Sequence, residues 1–106
     1  VMKIESVAVE DGSTDQAGAA LVHTSTGLVR VPMRGRPWQV FWLLHQAGVK
    51  FVDTDRLQQG LGISSEGAAR NAIIRLKKVF AKAGVEKIVE NRKGAGYRLV
   101  GGGSPG

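Results

Sequence analysis

The chain has 106 residues, with 15 Lys or Arg against 9 Asp or Glu and a formal charge of +6. It has no cysteine, which excludes a disulfide scaffold, a thiol nucleophile and every Cys-based zinc or iron–sulfur site. No apolar run nears the roughly 20 residues that cross a bilayer, and Lys3, Glu5 and Glu10 interrupt any secretory signal pattern.

Met2 to Val9 alternates loosely through Ile4, Val7 and Val9 and predicts a strand. Asp11 to Asp15 is a polar loop. Ala19 to His23 and Leu28 to Val31 are apolar runs separated by Thr24-Ser25-Thr26-Gly27, a hairpin turn, so the first third predicts a small antiparallel sheet. Pro37 suits the first turn of a helix and Gly48 its end. Within that helix Trp38, Phe41, Trp42 and His45 share one face, and Val40, Leu43, Leu44 and Ala47 share the other. A helix apolar on two faces is buried on two sides. The aromatic stripe therefore reads as core and His45 as a packed histidine.

Val49 to Val52 predicts a short strand or extended link. Asp53 is a good N-cap for a second helix, with Val52 and Leu57 placed as a hydrophobic staple. Gly60 and Gly62 are expected to stop it. Ser64 is expected to cap a third helix, from about residue 65 to about residue 83, with Glu66 in its first turn and Gly84 at its end. Two helices joined by a short glycine-containing turn describe a helix-turn-helix. Lys87 to Glu90 and Tyr97 to Val100 predict two strands, joined by a basic hairpin loop over residues 91–96. One α+β domain is expected over residues 1–100, with residues 101–106 a flexible Gly-rich tail. Val1 stands in place of an initiator methionine, which leaves room for a neighbouring domain.

The charge is unevenly spread: residues 1–29 carry a net −3 and residues 30–106 a net +9. Such a basic two-thirds points to a polyanion, and nucleic acid is the commonest. At about 100° per residue, Ala69, Ile73, Leu76 and Phe80 share the core face of the third helix. Asn71, Ile74, Arg75, Lys78 and Lys82 lie opposite, with Arg70 and Lys77 on the flanks. These side chains suit the major groove of double-stranded DNA. Arg bridges guanine O6 and N7, Asn bridges adenine N6 and N7, and Ile74 meets a thymine methyl. Lys77, Lys78 and Lys82 suit phosphates, which position a helix without selecting sequence. Arg92 and Lys93 sit in the hairpin loop, where a cation can enter a minor groove. A solvated basic face and a solvated turn are the plain alternatives. The adjacency of the two features behind a helix-turn signal favours DNA.

Three segments carry a family resemblance. Val49-Lys50-Phe51-Val52-Asp53-Thr54-Asp55-Arg56-Leu57, Ile73-Ile74-Arg75-Leu76-Lys77-Lys78 and Lys93-Gly94-Ala95-Gly96-Tyr97-Arg98-Leu99 resemble the winged helix-turn-helix effector domain of OmpR/PhoB-type response regulators. The last segment is the most specific of the three. The resemblance implies an N-terminal antiparallel sheet, three helices and a C-terminal β-hairpin wing. It implies sequence-specific DNA binding and transcription regulation in a bacterial-type cytoplasm, at the nucleoid, with no cofactor. By position, Arg75 reads bases, with Arg70, Asn71 and Ile74 near them, and Lys77 and Lys78 reach the backbone. Lys93 replaces the wing arginine, and Tyr97 anchors the hairpin. RNA polymerase, a separate regulatory protein and a second copy on DNA are the protein partners implied.

The chain departs from the family at three points. These 106 residues hold no receiver domain, so no phosphorylation site is assigned. Only Gly60 to Ser64 bridge helices two and three, where the family has a longer loop that contacts polymerase. The family's acid near Arg70 and polar residue near Ala72 are absent. Two other functions fit the same features: an excisionase-like or architectural DNA-binding factor, and a winged helix used for protein–protein contact. An enzyme is not expected. No triad, paired-carboxylate cleft or phosphate loop is present, Asp53 is spent as a cap, and Gly94-Ala95-Gly96 is not followed by a helix.

Overall fold

The computed structural model describes residues 4–10, 17–48 and 50–100. The expected strand start at Met2, the loop at Asp11 to Asp15, Val49 and the tail at residues 101–106 lie outside the described residues.

Strands β1 (Ile4–Glu10), β2 (Ala17–Thr24) and β3 (Gly27–Arg34) form an antiparallel sheet in the order β1-β2-β3. Alternation decides which face is inward. Val7, Val22 and Val29 align across the strands, as do Val9, Ala20 and Val31. These residues turn to the core, and Ser6, His23 and Arg30 turn away from it. The β2–β3 turn is tied by Thr24, whose Oγ1 donates to the Gly27 carbonyl at 2.8 Å and accepts from the Thr26 amide at 3.2 Å.

Helix α1 (Arg36–Ala47) follows at once, with Pro37 in its first turn. The two-faced burial read from the sequence is present. Trp38, Val40, Phe41 and Leu44 are buried, with Trp42, Leu43 and Ala47 half-buried around them. The helix touches β2 and β3 on one side and two further helices on the other. These are α2 (Thr54–Leu61) and α3 (Glu66–Lys82). His45 stacks on Trp42 and lies tilted against Phe41, and its Nδ1 is buried without a hydrogen-bond partner among the described residues. Burial lowers its pKa, which keeps the ring neutral and consistent with a packing role.

Asp53 caps α2 as expected, its carboxylate accepting the Arg56 amide at 2.8 Å, and the staple residues Val52 and Leu57 are both buried. Two expectations at the turn are corrected. Gly60 does not stop α2 but lies inside it. A Cβ there would sit 2.7 Å from both methyl carbons of Leu43, so this glycine lets α2 approach α1. Gly62 is the C-cap. The cap of α3 is Ser65, not Ser64, its hydroxyl accepting the Ala68 amide at 3.2 Å. That places Glu66 at the first helical position, where an acid favours the helix dipole. Ala69, Ala72, Ile73, Leu76 and Phe80 are buried, and the Phe80 ring lies 5.9 Å from that of Phe41.

The chain ends in a hairpin of β4 (Val89–Arg92) and β5 (Gly96–Leu99). The loop expected over residues 91–96 shrinks to a turn over residues 93–95, because Asn91 and Arg92 pair with Tyr97 and Gly96. Val52 meets Tyr97 through two backbone bonds of 2.7 and 2.9 Å. The link before α2 thus becomes a third rung beside β5.

Candidate nucleic-acid interface

The outward face of α3 is set by the burial of its other face against α1. Arg70, Asn71, Ile74, Arg75, Lys77, Lys78 and Lys82 are all exposed. Ile74 is 47% exposed, a large apolar side chain left in water within a ring of cations. Burying it against a partner removes apolar surface worth roughly 25 cal/mol per Å².

The fold divides the expected site residues between two flanks of α3. Arg70 faces the hairpin. With Asp53, Thr54, Glu66 and residues 91–97 it lines a polar cleft of about 710 Å³. Its Nη2 pairs with Glu66 Oε1 at 2.9 Å, both side chains being more than half exposed. An exposed i,i+4 pair contributes only about 0.3–0.5 kcal/mol, below the roughly 1–3 kcal/mol of a bidentate guanine contact. Glu66 therefore parks Arg70 without locking it. Asn71 and Arg75 fall on the opposite flank, in a hollow of about 240 Å³ shared with Arg36, Ile63, Ala68 and Ala72. Ile74 and Lys78 lie between the flanks, with Lys77 on the Arg70 side and Lys82 on the Arg75 side.

The two hairpin cations differ in their surroundings. Lys93 lies in the turn and is exposed. Arg92 belongs to β4, and its guanidinium sits 5.4 Å from the centre of the Phe51 ring. Arg98 lies over the same ring at 4.6 Å, with its Nε on Glu90 Oε2 at 2.6 Å. Cation–π contact of this kind contributes about 0.5–1 kcal/mol at exposed sites. Lys93 is thus the cation at the hairpin tip, while Arg92 sits nearer its base.

Arg36 borders the candidate interface, and the sequence reading missed it. Its Nη1 donates to the Leu61 carbonyl at 3.0 Å, which ties the α2–α3 turn to the start of α1. The same side chain borders the hollow of Asn71 and Arg75. A cation directly before a helix-opening proline was the available signal. Among the described residues, no group of three or more His, Asp or Glu is placed to hold a metal ion, and no helix is long and apolar enough to cross a membrane.

No family model and no curated protein matches the sequence. Among solved structures, the chain is similar to the DNA-binding domain of the response regulator AdeR, solved in complex with an intercistronic region. That likeness has a TM-score of 0.66 at 17% identity and covers 86% of this chain and 92% of that one. It shows the fold: this chain has a winged helix-turn-helix architecture like that of the AdeR domain.

Proposed function

We propose that the chain is a sequence-specific double-stranded DNA-binding regulator of transcription, with α3 in the major groove and the β4–β5 hairpin over an adjacent minor groove. The observation that carries this reading is the outward face of α3. There the cations, Asn71 and a half-exposed Ile74 stand together on a helix whose other face is fully packed. Asn71 and Arg75 share one hollow and reach base edges from one flank. Arg70 reaches them from the other once it leaves Glu66. Lys77, Lys78 and Lys82 meet phosphates, and Lys93 enters the minor groove. The AdeR domain of the same fold, solved on DNA, supports the choice of partner.

Fluorescence anisotropy against a randomised duplex pool and its selected winners, in a salt series, tests the reading. Winners are expected to bind on the order of 10³-fold tighter than random duplex. Equal affinity for every duplex, collapsing with salt, would reduce the face to a non-specific cation. Promoter fusions carrying the winning site then test for transcription control.

Within that assay, Arg75→Ala is expected to cost about 1–3 kcal/mol on the selected site and to relax preference at one base pair. A uniform loss on all sequences would make Arg75 a phosphate contact. Lys93→Ala is expected to weaken binding most on sites with a narrow minor groove, where the negative potential is deepest. A loss independent of groove width would remove Lys93 from the groove.

A further inference from the structure

A groove away from the cationic face runs along the free edge of the N-terminal sheet. It encloses about 520 Å³ and is lined by Ala17, Gly18, Arg30, Pro32, Met33, Arg34, Pro37 and Val79. That volume lies in the range of about 300–1,000 Å³ typical of ligand sites. Its floor is apolar for a structural reason. A Cβ at Gly18 would stand 2.5 Å from the Trp38 ring, so the strand lies flat on that indole and leaves a shallow trough. Val79 forms the opposite wall, on the flank of α3 toward the sheet and outside the arc of Asn71, Ile74 and Lys78.

The rim is cationic and lies on a sheet edge. Arg34 is exposed and makes no ion pair among the described residues, while Arg30 is held by Glu10 at 2.7 Å. Thr24 and Gly27 close a two-residue turn as a hydrogen-bonded pair, and such pairs alternate along the ladder. Leu28, Arg30, Pro32 and Arg34 therefore turn their backbone polar groups outward, away from β2. Pro32 has no N–H to offer and interrupts that edge, which guards it against addition of a full strand. Recognition at the groove thus falls to side chains.

We propose that this groove docks a short acidic segment of a partner protein, one apolar side chain filling the trough, one flanking carboxylate pairing with Arg34 and a second taking the place of Glu10 on Arg30. Charge complementarity selects the class: an apolar floor excludes a phosphodiester strand, and two rim guanidiniums favour carboxylates. The groove shares no lining residue with the hollow of Asn71 and Arg75 or with the cleft of Arg70 and the hairpin, so it is tested apart from the DNA reading.

The test is selection of random twelve-residue displayed peptides on the full chain, with counter-selection on Arg34→Glu. Enriched peptides are expected to carry Glu or Asp around one apolar residue. Their amide shift changes should centre on residues 17–18, 30–34, 37 and 79. Arg34→Glu, with unchanged circular dichroism, is expected to weaken them about tenfold or more, and exchanging peptide Glu for Lys to restore binding to that variant. The proposal is overturned if no sequence is enriched. It is also overturned if Ser in place of the apolar residue binds equally well, or if the shifts map to residues 70–78 of α3 and to the hairpin, which would be polyanion capture by the cationic face. Concentration-dependent dimerisation lost in Arg34→Glu, with no peptide enriched, would assign the groove to a second copy instead.

Discussion

Phe80→Ala is expected to lower the unfolding free energy by about 3–5 kcal/mol, as aromatic-to-alanine changes in packed cores do. Phe80 is fully buried at the junction of α1 and α3, with its ring beside that of Phe41. Its carbonyl also accepts the Val85 amide at 2.9 Å, which turns the chain out of α3 toward the hairpin. A domain of this size has only about 5–15 kcal/mol in hand, so the loss removes a large part of it. Urea unfolding followed at 222 nm measures it. Ile74→Ala is the control on the same helix. Since Ile74 is 47% exposed, its stability change is expected to stay within about 0.5 kcal/mol, as surface changes usually do, while its effect on DNA binding is not. Large at residue 80 and small at residue 74 fixes the rotation of α3. The reverse would turn the cationic arc into the core and dismantle the proposed interface.

Long periodic segments were legible in the sequence because burial sets their pattern. The two-faced helix around Trp38 and Phe41 and the split of α3 between Phe80 and Lys78 follow from spacing alone, since each apolar position must find a core. Where the sequence misled, the deciding partner was distant. Gly60 reads as a stop signal, but Leu43 on another helix is what requires it. Ser64 is the cap the sequence suggests, but the cap falls one residue later, where the Ser65 hydroxyl reaches the Ala68 amide. Asn91 and Arg92 look like loop residues because their strand is short and polar. Their partners Tyr97 and Gly96 hold them in the ladder. In the candidate site the composition of α3 was readable and its partition was not. That Arg70 goes with the hairpin and Arg75 with Arg36 depends on which side of α3 each neighbour packs.

Position along the chain hides the mechanical unity of the proposed interface. The cations of α3 and the cation at residue 93 are useful together only if the hairpin is held at a fixed distance from the helix. The hold consists of Val52, at the entrance to α2, bridging to Tyr97 in β5. Val52 also packs in the core with Leu57, so the cap of α2 and the base of the hairpin are fastened at one point.

Gly96→Ala tests that fastening and is expected to cost about 3 kcal/mol or more, combining left-handed backbone strain of about 1–3 kcal/mol with two backbone bonds of about 1 kcal/mol each. Gly96 has φ +116°, and a Cβ there would run into the Val52 carbonyl oxygen, 2.6 Å from its carbon and 2.7 Å from the Asp53 Cα. These are backbone atoms, so no rotamer relieves the clash. β5 must move off Val52, and the bonds of 2.7 and 2.9 Å go with it. Gly94→Ala separates the two contributions. Gly94 also has a positive φ, +83°, but a Cβ there meets nothing within 4 Å. It is expected to cost only the backbone term, about 1–2 kcal/mol. On DNA, Gly96→Ala should lose the dependence on minor-groove width together with the Lys93 contact, yet keep the base preference carried by Arg75. If both substitutions cost the same, the hairpin is not clamped to Val52, and Lys93 reaches DNA as a swinging arm. If Gly96→Ala also erases base preference, the clamp sets the orientation of α3 itself, through the shared anchorage of Val52 and Leu57.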